Sequence, residues 1–418
     1  MRATAFMLAL VIAVMTCADL SAQGFAPATR EMWQEEGWSF AREWRPVNEP
    51  LVAEDFAKDF VEVLVAKDLE RWTRLVDFEL LKERASRMCE TSKSRLNIQN
   101  SFNAAYERLV KQIGKQADNY KYIRHLKTKL GVGPIFRLTT EEGGVQYHLW
   151  YLLQNHEGQI KGIDIYIFNS GESLSESFGR GALLIQESKT KSFVRNLSPR
   201  NRQLFANRDD LNRMLMAQSS RDEVNVMKAY NQLPDNLKTV KFCMLYRLMA
   251  ARKYSDERFD QALADFHRVY KGDISGDLVA LDYYSSRKNV DALIKTVTRI
   301  QQVIHPDAHL FMIKAKACLD RGNHDICRQL LNYAHQIEPE KEDLYWLRAS
   351  CESAAGEFDQ TLRIFKYLVK KYDVLEFKGL DQSPHFKDFV GSEQHKEFMT
   401  FLASAKKLKT DFLSGDLE

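Results

Sequence analysis

The amino-acid sequence predicts an α+β N-terminal domain followed by an all-α helical solenoid, and three observations carry that prediction. Apolar positions at helical spacing in residues 51–116 give way to alternating, turn-bounded segments between Tyr120 and Asn169. Helices first and an antiparallel sheet afterwards make an α+β layer. From Asp222 to about Leu402 the pattern is helical throughout. Within that stretch Phe259-Asp260-Gln261-Ala262-Leu263 returns as Phe358-Asp359-Gln360-Thr361-Leu362, ninety-nine residues later, with Asp291 and Asp325 marking the steps between. Three periods of about thirty-three residues are the signature of paired-helix solenoids, whose repeats bury their apolar faces by stacking on neighbours.

Composition sets the class. A chain of 418 residues has room for two or three domains, and 44% apolar with 28% charged residues is ordinary for a globular protein. Lys plus Arg (60) nearly balance Asp plus Glu (57), so no global field recruits nucleic acid or an anionic membrane.

Residues 1–22 read as an export signal. Arg2 supplies the positive start, Phe6 to Met15 a short apolar run, and Leu20-Ser21-Ala22 a small-residue cleavage site. The run is too short to span a bilayer, and no later segment is long and apolar enough to cross one. The mature chain is then expected to begin near Gln23 and to be periplasmic or secreted. The alternative is a lipoprotein acylated at Cys17, which Val14-Met15-Thr16 matches poorly.

Residues 23–50 form an N-terminal arm whose Trp33, Trp38 and Trp44 need something to pack on. In the domain at 51–187, Phe56, Phe60, Val63 and Leu64, then Trp72, Leu75, Val76, Phe78 and Leu81, are helical spacings, and a further helix covers about Ser94 to Gln116. Strands are expected over Tyr120–Lys127, Ile135–Thr140, Val145–Gln154 and Gln159–Asn169. Glu142-Gly143-Gly144 and His156-Glu157-Gly158 supply turns.

This element order, with Tyr147-His148-Leu149-Trp150-Tyr151-Leu152 and then Gly162-Ile163-Asp164-Ile165-Tyr166-Ile167-Phe168, resembles the nuclear-transport-factor-like fold, a cone-like curved sheet closed by helices. That fold serves both enzymes and non-catalytic binding or dimerisation modules, so it assigns no function. Alternation makes both sheet faces apolar or aromatic. One packs on the domain's helices; the other calls for a cover, such as the repeat domain, a ligand, or a second copy in a homodimer.

Glu172 to Glu187 reads as a helix entered through the Ser170-Gly171 turn. Residues 188–220, basic and Asn-rich, read as a linker. The repeat domain spans 221–402, closes on an amphipathic cap with Phe386, Phe389, Phe398 and Phe401, and leaves a tail at 403–418.

The repeats resemble the tetratricopeptide repeat (TPR) family. Phe311, Ala315 and Cys318 fill the aromatic, Gly and Tyr slots, Cys327 and Leu331 the Ala and Phe slots, and Pro339 closes the unit. The next unit offers Tyr345, Ala349, Thr361 and Phe365, and an earlier one Tyr246, Ala250, Ala262 and Phe266. Lys314 and Arg348 depart from the usual Leu, and the unit from Ser275 to His305 fits poorly. Gly322 and Gly356 sit where the first helices must end.

In that family the first helix of each repeat lines a groove for peptides or partner helices. Transferred slot by slot, the resemblance makes His309, Met312, Lys316 and Leu319, then Asp343, Trp346, Ser350 and Ser353, the groove residues. Trp346 is the candidate anchor, since a wide aromatic on a groove wall has the chemistry of one. The plainer reading packs Trp346 within the solenoid.

No Gly-x-Ser-x-Gly elbow, phosphate loop, dinucleotide fingerprint or His-Glu-x-x-His motif occurs. Strand parity allows His148 and Asp164 to share a face with Trp150 and Tyr166, and a His–carboxylate pair beside aromatics can do acid–base work in a pocket. The plainer reading makes His148 an outer-face residue and Asp164 a surface charge. After cleavage five cysteines remain, too few for a disulfide framework. Cys318 and Cys327 could face each other in one hairpin, though buried thiols fit better, and no pair has zinc-ligand spacing.

The sequence thus reads as an exported, non-catalytic scaffold that binds a protein or peptide partner through a TPR-like groove, with no cofactor or metal. The alternative gives the N-terminal domain a small ligand or a reaction, with the repeats as its recruiting arm.

Overall fold

Apart from a two-residue strand at Arg45–Pro46, helices come first, a sheet follows, and helices return to the end of the described chain, in the order the pattern predicts. The computed structural model describes residues 40–86, 119–139, 144–185, 194–195, 197, 199–304 and 306–414. The export signal, Cys17, Gln23, Trp33, Trp38, Cys89 and the helix expected at 94–116 lie outside these residues. The chain divides into two compact units. The first comprises the described residues to Tyr283 with Gln302–Ile304, and the second Tyr284–Gln301 with the residues from 306 onward.

In the first unit a short β1 (Arg45–Pro46) precedes α1 (Pro50–Ala66), α2 (Leu69–Leu75) and α3 (Phe78–Ser86). Pro50 is tolerated in the first turn of α1, where its missing N–H has no helical partner. Phe56, Phe60, Val63 and Leu64 fall on one face and are buried. Asp68 caps α2 by accepting from the Arg71 backbone N–H at 2.9 Å.

The sheet continues with β2 (Tyr120–Thr128), β3 (Gly131–Thr139), β4 (Val145–Gln154), β5 (Ile160–Ile167) and β6 (Glu172–Ser173) in sequential antiparallel order, with β1 on β4. β3 begins four residues before the expected strand, because Gly131, Gly133 and Pro134 read as turn chemistry. Pro134 nevertheless stands opposite His125 in the ladder. The β4–β5 turn forms as expected, with the Asn155 side chain accepting from the Glu157 and Gln159 backbone N–H groups.

Phe60 sits among aromatic rings on one sheet face, 4.8 Å from Trp150, 4.9 Å from Trp72 and 5.4 Å from Phe136 between centroids. Each such side chain contributes about 1.5–3 kcal/mol by burial. The opposite face is covered from within the unit. Phe40 and Trp44 of the arm and Leu80 of α3 pack on Tyr151, Leu153 and Ile163. The open face that invited a second copy is thus covered in part by the chain's own arm.

α4 (Leu174–Ile185) follows the sheet, then α5 (Pro199–Ala206), α6 (Arg208–Ser219), α7 (Glu223–Gln232) and α8 (Asp235–Lys238). Much of the expected 188–220 linker is therefore helix with a core. Leu204, Phe205, Leu211 and Met214 are buried with Leu183 and Val226. Its arginines hid the periodicity while supporting it: Arg202 donates to the carbonyls of Val194, Arg195 and Leu197, and Arg208 lies over the Phe205 ring at 4.7 Å. The unit boundary falls at Tyr283 rather than in 188–220. α9 (Lys241–Ala251) and α10 (Asp256–Val269), which carries the first Phe-Asp-Gln copy, complete the helices lying wholly in this unit. α11 (Ser275–Ser286) and α12 (Val290–Ile304), the poorly fitting repeat, straddle the division.

The second unit is built on two helix pairs, α13 (Ala308–Leu319) with α14 (His324–Ile337) and α15 (Glu342–Ala354) with α16 (Phe358–Tyr372). Gly322 and Gly356 hold φ of 70° and 79° at the turns inside each pair, a left-handed geometry that costs other residues. Ala315, Ala349 and Cys327 are fully buried, as are Leu331 and Phe365. The small positions let the helices close, and the large ones fill the space between pairs. Lys314, the polar departure, is buried with its ammonium donating to the Gln301 side chain at 2.5 Å. Arg348 likewise finds Asn332.

A 3-10 turn (Leu380–Gln382), α17 (Lys387–Val390) and α18 (Glu393–Ser414) close the chain. Phe386, Phe389 and Phe398 gather around Phe365 as the expected cap. The tail expected at 403–418 is helical to Ser414, since Ala403, Ala405 and the lysines beyond are strong helix formers.

Candidate functional site

Register decides the N-terminal candidates. On β4 and β5, His148 pairs with Ile167 and Trp150 with Ile165, whereas Asp164 pairs with Tyr151 and Tyr166 with Leu149. Residues directly opposite share a face. His148 and Trp150 therefore face α1, and Asp164 and Tyr166 face the other way. The expected His148–Asp164 pair does not form, because a one-residue shift of register inverts every side chain and parity alone cannot choose between them.

His148 is buried, not on an outer face. Trp150 Nε1 donates to the Tyr120 hydroxyl at 3.2 Å, and that hydroxyl lies 3.1 Å from His148 Nδ1. The direction of that bond follows the tautomer of the ring, and Nε2 has no hydrogen-bond partner in either tautomer. Burial pushes the His148 pKa down to about 4, so the ring is neutral at physiological pH.

Asp164 is likewise buried rather than a surface charge. Its carboxylate accepts from the Ile165 N–H at 2.8 Å, the Ser175 N–H at 3.2 Å and the Ser175 hydroxyl, and pairs with Arg84 at 3.2 Å. Burial raises its pKa, and the Arg84 guanidinium opposes that rise. Arg84 also donates to Ser173 at 2.8 Å. This network ties α3 to α4 and β5; its lone pairs are occupied by the fold. Tyr166 accepts from Lys241 of α9 at 3.2 Å and is equally structural.

The repeat candidates are brought together. Spacings of three and four put His309, Met312 and Lys316 on one face of α13, and Asp343, Trp346 and Ser350 on one face of α15, with the two helices packed side by side. Lys316 and Asp343 are exposed; His309, Trp346 and Ser350 are half-buried. Met312, Leu319 and Ser353 are buried, so they support this wall without being open to a partner.

Trp346 is fixed from three sides. Its Nε1 donates to Glu342 at 3.0 Å, and its ring lies 5.7 Å from Phe365 and 5.1 Å from Phe377. Ser350, one turn on, donates its hydroxyl to the Trp346 carbonyl at 3.0 Å. The solenoid-packed and wall-lining readings of Trp346 are therefore both partly met. Nothing in the sequence pattern singles out Phe377, which sits in the irregular segment after α16.

The cysteines are free: Cys243, Cys318, Cys327 and Cys351 are buried thiols, and the Cys318–Cys327 bridge is not formed. Among the described residues no cluster of His, Cys, Asp and Glu could hold a metal, and no helix is long and apolar enough to cross a membrane. An open polar cavity of about 480 Å³ lies at the turns inside the two helix pairs, lined by Arg321, Asn323, His324, Arg328 and Glu357 among others.

No family model and no curated protein matches this chain. Among solved structures, that of a MamA point mutant is similar at 13% identity, over 41% of this chain and 99% of that one, with a TM-score of 0.32.

Proposed function

We propose that this protein is an exported, non-catalytic scaffold whose second unit is TPR-like and holds a protein or peptide partner on the wall formed by α13 and α15. One observation carries the reading: Lys316, Asp343 and the half-buried Trp346 share that wall, while the small and large slots behind it are filled as a repeat register requires. An aromatic flanked by one cation and one carboxylate is the chemistry of an anchor with a polar rim. The first unit acts as a folded module of nuclear-transport-factor-like type. Its acid–base candidates lie on opposite sheet faces, and the Asp164 carboxylate is consumed by Arg84 and Ser175. Its alternative role as a ligand receptor is favoured by the unpartnered His148 Nε2 alone.

The test is capture of partners from the organism's envelope extract by the immobilised whole chain, with Lys316→Glu and Asp343→Lys beside the parent. Both residues are exposed, so the variants should fold as the parent does. Loss of the same captured partner in both supports the wall. Undiminished capture in both moves the site off α13 and α15.

A further inference from the structure

The sheet of the first unit has one long edge. β2 pairs with β3 along its length, and no other described strand joins it. The backbone of an edge strand offers a partner strand a row of N–H and C=O groups. The side chains along this row are basic. Lys121, Arg124, His125 and Lys127 lie on β2 and Lys129 just beyond it, and the sequence from Tyr120 to Thr140 holds no Asp or Glu. Lys121, Lys127 and Lys129 are exposed, and Arg124 and His125 are half-buried. A shift of register between Tyr122 and Arg124 sets these cations on both faces. Lys121 stands opposite Arg137 and Arg124 opposite Ile135, on the face turned away from α1. His125 and Lys127 stand opposite Pro134 and Val132, on the face turned to α1. Glu54 of α1 acts on His125 by charge, and is itself paired with Lys58 at 3.1 Å.

We propose that this edge takes an acidic peptide in extended conformation as an added strand of the sheet. Main-chain hydrogen bonds along β2 hold the peptide, and its carboxylates meet the cations of the edge at roughly 5 Å, the separation of opposed residues on neighbouring strands. A second copy of the chain is the poorer occupant, because β2 against β2 sets like charges opposite one another. A nucleic acid presents no donors and acceptors in strand register, and the charge of the whole chain is close to balanced. The edge shares no residue with the α13–α15 wall, so either proposal can fail without the other.

The test titrates the whole chain into a fluorescein-labelled peptide, Glu-Val-Glu-Val-Glu-Val-Glu, and reads binding by fluorescence anisotropy. The expected result is saturable binding that weakens as salt rises, with none for the matching Lys-Val peptide. The acidic peptide methylated on every backbone nitrogen keeps its charge and loses its ladder donors, and should bind about tenfold or more weakly. The double variant Lys121→Glu, Lys127→Glu should weaken binding of the unmethylated peptide by about tenfold or more, with an unchanged circular dichroism spectrum since both residues are exposed. Absence of binding overturns the proposal, as does equal binding of the methylated peptide or undiminished binding by the double variant. So does a preference for a single-stranded DNA oligomer or for phosphatidylglycerol vesicles over the peptide, or a dimer of the parent that the double variant abolishes. The methylated peptide against the parent chain decides the matter whether or not the variant folds.

Discussion

Trp346 of α15 and Phe377 of the irregular segment after α16 meet with ring centroids 5.1 Å apart, and Phe377 touches Phe365 and Phe398 as well. The indole is thus held in place by the same aromatic cluster that ends the helix stack. An anchor fixed before binding gives up less side-chain freedom on meeting a partner. Because Phe377 is half-buried, Phe377→Ala should cost less than Phe365→Ala, which removes a fully buried ring worth about 3–5 kcal/mol. Urea melts of the two variants would check the ranking; equal losses would place Phe377 in the core.

Ala315 and Ala349 occupy the positions where paired helices close, and both are fully buried. Ala315→Leu or Ala349→Leu must push the helices apart, at about 1–3 kcal/mol. A thermal melt reads the loss directly. Either variant melting with the parent contradicts the repeat register.

His148 gives the first unit an acid-sensitive core. Its folded pKa of about 4 lies below the ordinary value of 6.5, so the unfolded chain takes up the proton first. The neutral ring's contribution is complete above about pH 6.5 and is lost as pH falls toward about 4, up to about 3 kcal/mol over that window. Urea melts of the parent should therefore weaken between about pH 7 and pH 4.5, and those of His148→Leu should weaken less over the same range. Parallel pH dependence in the two would remove His148 as the cause.

Arg84 is the cation that opposes Asp164's burial. Arg84→Met leaves the carboxylate buried and unpaired, at about 3–5 kcal/mol. Arg71→Met, which breaks an exposed, solvent-screened pair with Glu62, should leave the melt close to the parent's. Comparable melts for the two would mean that Asp164 reaches water.

How legible each part was follows from what the local pattern encodes. Ala315, Ala349, Leu331 and Phe365 recur at a fixed period, and each period is a packing requirement, so the slots could be read from the sequence. The facing of His148 and Asp164 could not, because alternation gives two faces without naming the partner strand. The ladder between them also shifts at Tyr151 and Leu152. The helices at 199–219 were masked by arginines that cap carbonyls and cover Phe205. Phe377 was invisible because an irregular segment imposes no period.

Trp346→Ala, measured for partner capture and for thermal melting in the same preparation, tests the scaffold reading most directly. The account predicts a loss in affinity of about 2 kcal/mol or more, roughly thirtyfold, with a melting temperature lowered only modestly since the indole is half-exposed. Undiminished capture of the partner by the Trp346→Ala chain would contradict it.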